Sequence, residues 1–121
     1  MDILTAEEKV ARWVENVSGM SEKVYRIPLP YGVREGFEVR LVSGKPRSVN
    51  SLNEFTVEVK GISPDRRMLW ECFEKLFAAL PLQKYDSIRY MDVKDEIRFD
   101  LEEKEGMQLF SGTVRLSAAF V

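Results

Sequence analysis

Apolar and polar residues alternate along Phe37-Glu38-Val39-Arg40-Leu41, Phe55-Thr56-Val57-Glu58-Val59-Lys60 and Ile97-Arg98-Phe99-Asp100-Leu101-Glu102. A period of two puts successive side chains on opposite sides of an extended chain, so each segment predicts a strand with one buried and one wet face. The final run reads the same way, with Phe110, Val114, Leu116, Ala118 and Phe120 on one side and Ser111, Thr113, Arg115 and Ser117 on the other. Gly112 inside it predicts a bulge or a close backbone approach. Leu101 and Met107 flank the turn Glu103-Lys104-Glu105-Gly106, short enough to fold the last two strands as an antiparallel hairpin. Residues 24–27 and 87–90 predict shorter strands, the first broken by Pro28 and Pro30, which lack an N–H for pairing.

Two segments switch to helical spacing. Ala6, Val10, Trp13, Val14 and Val17 form one stripe, with Thr5-Ala6-Glu7-Glu8 reading as a capping box at its start and Gly19 as its stop. Leu69, Cys72, Phe73, Leu76 and Leu80 form the other, widened by Trp70 and Phe77. Ser63 is its expected N-cap, Pro64 its first residue, and Pro81 its end. The polar, turn-rich stretch 43–53 predicts a loop, long enough to suggest a functional role. Helix, strands, helix, strands, with clean alternation, predicts one domain over residues 1–121. It is a two-layer α+β fold, its mainly antiparallel sheet covered by two helices on one face.

Composition narrows the chemistry more than the fold. The 121 residues contain no histidine and a single cysteine, Cys72. That excludes Ser-His-Asp and Cys-His nucleophile systems, histidine-bearing zinc sites, Cys-only metal sites and an intramolecular disulfide. The expectation is a protein that is not an enzyme and takes no cofactor. The formal charge of -2, from 18 basic and 20 acidic residues, fits poorly with specific binding of free nucleic acid, which relies on Lys and Arg neutralising phosphates. The opening Met1-Asp2-Ile3-Leu4 lacks the basic start of a secretory signal, and no stretch reaches the roughly 18 apolar residues of a membrane span. A reducing cytoplasm and no membrane partner are expected.

Few residues stand out as functional candidates. Asp92, Asp95, Glu96 and Asp100 gather many carboxylates, but without EF-hand spacing; a solvated, charged strand edge is the expected reading. Cys72 falls on an apolar stripe and is expected to be buried. Arg66 and Arg67 occupy the first turn of the second helix. Trp70 lies just off its central stripe, where a partner contact competes with core packing. Lys45-Pro46-Arg47 is a basic cluster within the loop, suited to docking on another protein.

The segment from Asn53 to Leu82 resembles the small tail-terminator and minor-capsid (head–tail joining) proteins of tailed bacteriophages. The strand Glu54-Phe55-Thr56-Val57-Glu58-Val59-Lys60-Gly61 runs directly into the helix 65–80. The closing hairpin strand Gly112-Thr113-Val114-Arg115-Leu116-Ser117-Ala118-Ala119-Phe120 and the opening helix fit the same outline. The likeness is one of pattern and carries over no catalytic residue. It implies a structural assembly protein of a phage or prophage virion that acts by forming a ring, commonly hexameric. Its partners would be itself, tail-tube and head-connector proteins, in the bacterial host cytoplasm during assembly and then in the virion. On this chain the resemblance implies contacts through the loop 43–53, the strand edges, and the polar face carrying Glu58, Lys60, Arg115 and Ser117. An acidic lumen would let DNA pass. Two other readings stay open: a nucleic-acid-binding module using Tyr25, Phe37 and Phe55 as stacking surfaces, and a small enzyme built on Asp92, Asp95 and Asp100.

Overall fold

The computed structural model describes residues 3–20, 22–26, 28–44 and 53–120. In chain order the elements are α1 (Ile3–Ser18), β1 (Val24–Tyr25), β2 (Gly36–Gly44), β3 (Asn53–Ser63), α2 (Arg66–Ala78), β4 (Leu82–Tyr85), β5 (Ile88–Val93), β6 (Arg98–Lys104) and β7 (Met107–Phe120). The strands make one sheet in the order β1-β2-β3-β7-β5-β4, with β6 also on β7. Every pairing is antiparallel except the short parallel contact of β1 with β2.

β7 is the spine of this sheet. One side pairs with β3 along residues 110–120. The other side is shared, β6 taking Met107–Thr113 and β5 taking Leu116–Phe120. Lys94 to Ile97 bridge the two, and the Lys94 N–H donates to Arg115 O at 2.8 Å.

Register turns alternation into two faces. Val39, Val59 and Val114 stand side by side, as do Leu41, Val57 and Leu116. These side chains point under the helices. Val10, Trp13 and Val14 of α1 and Leu69, Cys72, Phe73 and Leu76 of α2 are buried with them in one cluster. Full burial of such side chains contributes about 1.5–3 kcal/mol each, so the fold class follows from the pattern. The intervening row, Arg40, Glu58 and Arg115, points away from the helices.

An aromatic cradle seats α2. Phe37, Gly61, Gly112 and Phe99 pair in one row across β2, β3, β7 and β6. Phe73 descends onto the two glycines. A Cβ at Gly112 would stand 2.7 Å from its ring, and one at Gly61 3.1 Å. The flanking rings meet Phe73 edge-on, Phe37 at 5.4 Å and Phe99 at 6.2 Å between centroids. Gly112 therefore serves close approach and not a bulge, since β3 and β7 keep register through Gly61↔Gly112.

Several expected boundaries move, for local reasons. α1 begins at Ile3, so Thr5 lies inside it and not at its N-cap. Glu8 pairs with Arg12 at 2.7 Å, and Glu7 accepts the Leu41 N–H at 3.1 Å. The stop at Gly19 stands, with φ +77°. The N-cap of α2 is Asp65, not Ser63, and its carboxylate accepts the Met68 N–H at 3.2 Å. Ser63 belongs to β3, and its hydroxyl accepts the Asp65 N–H, leaving Pro64 ahead of the cap. α2 ends at Ala78, before Pro81. β4 was not anticipated. α1 is tied to the β4–β5 turn by Lys9–Asp86 at 2.6 Å and Asn16–Tyr85 at 2.8 Å.

Candidate functional site

The helix-free face holds most of the charged candidates. Glu58 on β3 lies between two arginines supplied by its neighbours in register: Arg40 on β2 at 3.1 Å and Arg115 on β7 at 3.4 Å. One row along, Lys60 pairs with Glu102 at 2.7 Å. Lys94 donates to Thr56 at 3.0 Å. Each pair at a wet surface is worth only about 0–1 kcal/mol. Their effect is to interleave opposite charges, so this face offers no uniformly basic track for phosphates. Phe37 and Phe55, expected as stacking surfaces, are buried in the core, and Tyr25 is half-buried. Alternation explains this: both phenylalanines fall on the helix side of their strands.

The acidic candidates lie on the helix-free side, spread over β5, β6 and the link between them. Asp92 accepts the N–H of Val93 at 2.8 Å, and Asp100 accepts that of Leu101 at 2.8 Å. Asp95 and Glu96 line a polar hollow of about 210 Å³ together with Glu58, Arg98 and Arg115, so guanidinium groups stand among these carboxylates. Cys72 is buried, and its thiol pKa is raised by that burial.

One end of the helix-free face is not polar. Leu29, Ile62 and Leu109 form a second apolar cluster there, bordered by Tyr25 and Val33. The segment 28–35 folds over it and is clasped by the β6–β7 turn. The Lys104 ammonium donates to Pro30 O, Val33 O and Glu105. The Gly32 N–H donates to both oxygens of Glu105 at 2.8 and 2.9 Å. Glu105 and Gly106 can form this two-residue turn because both adopt positive φ, +53° and +79°. Sequence alone reads Lys104 and Glu105 as ordinary turn residues.

The hydrogen bond from Lys104, then that from Gly32, holds the Glu105 carboxyl below the usual glutamate range. A carboxyl with a depressed folded pKa stabilises the fold above its unfolded pKa, and that contribution is lost as pH falls through the folded value. Urea midpoints taken from pH ~7 to ~3 should therefore fall more steeply for the wild type than for Glu105→Gln, with the difference opening below the ordinary value near 4.5. Parallel curves would disprove the clasp's role.

Arg66, Arg67 and Trp70 stand on the opposite side of the sheet from Glu58, Lys60 and Arg115, so the expected site residues fall into two groups. Arg67 pairs with Glu71 at 3.4 Å along its own helix. Trp70 is 40% exposed and stacks on Phe99 of β6 at 4.3 Å, the planes 22° apart. Leu101, at 57% exposure, continues the patch. Lys45, Pro46 and Arg47 lie outside the described residues.

This patch borders an open edge. Pairing of Lys104 with Met107 directs the backbone groups of Arg98, Asp100 and Glu102 toward β7. Those of Phe99, Leu101 and Glu103 point outward, and among the described residues no strand lies along that side. Asp100 partly blunts the edge by taking the Leu101 N–H. Between α2 and β6 an apolar notch of about 130 Å³ opens, floored by Leu69 and Phe110, walled by Trp70 and Phe99, with Arg66 and Asp100 at its rim. Ligand pockets for small molecules span roughly 300–1,000 Å³, so this notch suits a single side chain. Phe99, Leu101 and the 90% exposed Tyr31 are exposed apolar side chains that the sequence pattern does not mark out.

No helix among the described residues is long and apolar enough to cross a membrane. Neither a protein-family model nor a curated protein sequence matches this chain.

Proposed function

We propose that this chain is a structural assembly protein of a phage or prophage virion, a tail terminator or head–tail joining component that works by closing into a ring. The observation that carries the assembly part is the edge of β6, whose outward backbone groups run beside exposed Trp70, Phe99 and Leu101. Strand edges that stay single are short, bulged or charged, and exposed apolar clusters mark protein contacts. Among the described residues the β6 edge is both unpaired and apolar-flanked. The virion assignment rests on the pattern likeness of the strand–helix segment 53–82 and the closing hairpin. The interleaved charges of the helix-free face support a role in subunit contact over one in gripping nucleic acid.

The test is light scattering over a concentration series, with and without a tail-tube protein of a tailed phage. Rings of several copies that arrest tube growth are expected. A chain that stays monomeric throughout, and leaves tube length unchanged, defeats this reading.

A further inference from the structure

We propose that residues 28–35 form a strap that opens on its own, ahead of the sheet beneath it, once Glu105 loses its negative charge, and that opening uncovers Ile62 and Leu109. The device belongs to the single chain and stands whether or not copies assemble.

Side chains alone attach the strap. Pro28 and Pro30 have no N–H to offer a neighbouring strand. Among the described residues its one backbone–backbone hydrogen bond is internal, from the Val33 N–H to Pro30 O at 3.1 Å. Every described hydrogen bond that crosses to the rest of the molecule has a charged side chain at one end. The Leu29 N–H donates to Glu38 at 2.8 Å. Glu35 accepts from Lys23 at 3.0 Å and from the Ser63 hydroxyl at 3.4 Å. Lys104 donates to Pro30 O and Val33 O, and the Gly32 N–H donates to both oxygens of Glu105. β3, which lies beneath, is held quite differently: β2 pairs with its residues 55–62 and β7 with its whole length. A segment tied by a few side chains opens at a lower free energy than a strand laddered on both sides.

Glu105 is the latch. It takes the Gly32 N–H twice and is the counter-ion of Lys104 at 2.9 Å. Of the charged groups around it, Lys104 on its own turn and Arg34 on the strap both favour its ionised form. Glu35 and Glu38 are engaged elsewhere, by Lys23 with Ser63 and by the Leu29 N–H. Without the charge on Glu105, Gly32 keeps only a weaker acceptor. Lys104 and Arg34, both cations, then lose the anion that attracts them to this spot.

What the strap covers is separate from the main core. Ile62 and Leu109 are buried with Leu29, and Tyr25 and Val33 pack at the border. The larger cluster under the helices contains none of these three buried residues, so it stays closed when the strap lifts. Elsewhere this face carries the paired charges of Arg40, Glu58, Arg115, Lys60 and Glu102. Opening gives a polar face an apolar end.

Two thiols in one molecule test this. Leu109→Cys places one beneath the strap, and the chain's own Cys72, buried in the main core, reports opening of the whole fold. Both are labelled with a maleimide at neutral pH and read by peptide mass, with Glu105 intact and with Glu105→Gln added. The added change should speed labelling at position 109 by about 10-fold or more, the worth of a hydrogen bond to a charged group. Labelling of Cys72 should keep its rate. Equal acceleration at both positions would mean that the fold opens as one body, and no acceleration at either would mean that Glu105 is no latch. A thiol at 109 that reacts as fast as a free one while Glu105 is intact would mean that nothing covers it. Each of these three results overturns the proposal. Should circular dichroism show Leu109→Cys unfolded, amide exchange on Glu105→Gln alone decides. The Leu29 and Gly32 N–H groups should then exchange faster by the same factor while those of Val57 and Val59 do not, and a common change in all four sinks the strap.

Discussion

Replacing Phe73 by alanine should destabilise the fold by about 3–5 kcal/mol, the range for deleting a fully buried aromatic side chain. Phe73 is 1% exposed and fills the saddle over Gly61 and Gly112. Neither glycine has a side chain that can collapse into the space left behind, and Phe37 and Phe99 lose their edge-on partner. For a chain of this size the loss corresponds to a drop in Tm of roughly 10–20 °C. Denaturant titration gives the number directly. Phe77, on the same helix but half-buried, is the internal comparison and should cost clearly less. Equal losses at the two positions would show that the cradle is not a special seat.

The reverse change should also be costly. A methyl group at Gly61 would lie 2.7 Å from the Phe37 ring, 2.8 Å from Leu69 and 3.1 Å from Phe73. All three neighbours are buried, so none is free to swing into solvent. Overpacking of this kind costs about 1–3 kcal/mol. The two substitutions act on one space and should not add. The Gly61→Ala, Phe73→Ala double variant is expected to lose less than the two single losses combined, because the smaller residue at 73 makes room for the methyl at 61. A strictly additive cycle would mean that α2 shifts as a whole instead of accommodating locally.

How much of this was legible in the sequence differs by element. The alternation along 55–60 and 110–120 gave the faces of β3 and β7 correctly, because burial on one side only is what a period of two records. Gly112 within an alternating run predicts either a bulge or a close approach, and the structure has the close approach. By contrast Leu82-Gln83-Lys84-Tyr85 is too short to show a period, and its pairing with β5 is what makes it a strand. The exposed patch was hidden for a related reason. Phe37 and Phe99 occupy equivalent places in alternating segments and the same row of the sheet, yet Phe37 is fully buried and Phe99 is 40% exposed. The difference lies in how far the helices reach across the sheet, a tertiary quantity with no local signature. Trp70 was singled out because its helical position is local information. The clasp of Lys104 and Glu105 on the segment 28–35 joins residues about 70 positions apart, and no pattern along the chain announces it.

The position of β7 has a consequence for biosynthesis. Three other strands pair with it, yet it follows all of them along the chain. A nascent chain that has reached residue 104 holds β3, β5 and β6 without the partner that joins them, and its pairs must then span distances such as Val59 to Val114. Long-range pairing of this kind is slow to form. The half-made sheet therefore waits at the ribosome with its oily side uncovered, a state in which sticky nascent chains meet one another. Stalled or prematurely released products are expected to aggregate where the finished protein does not.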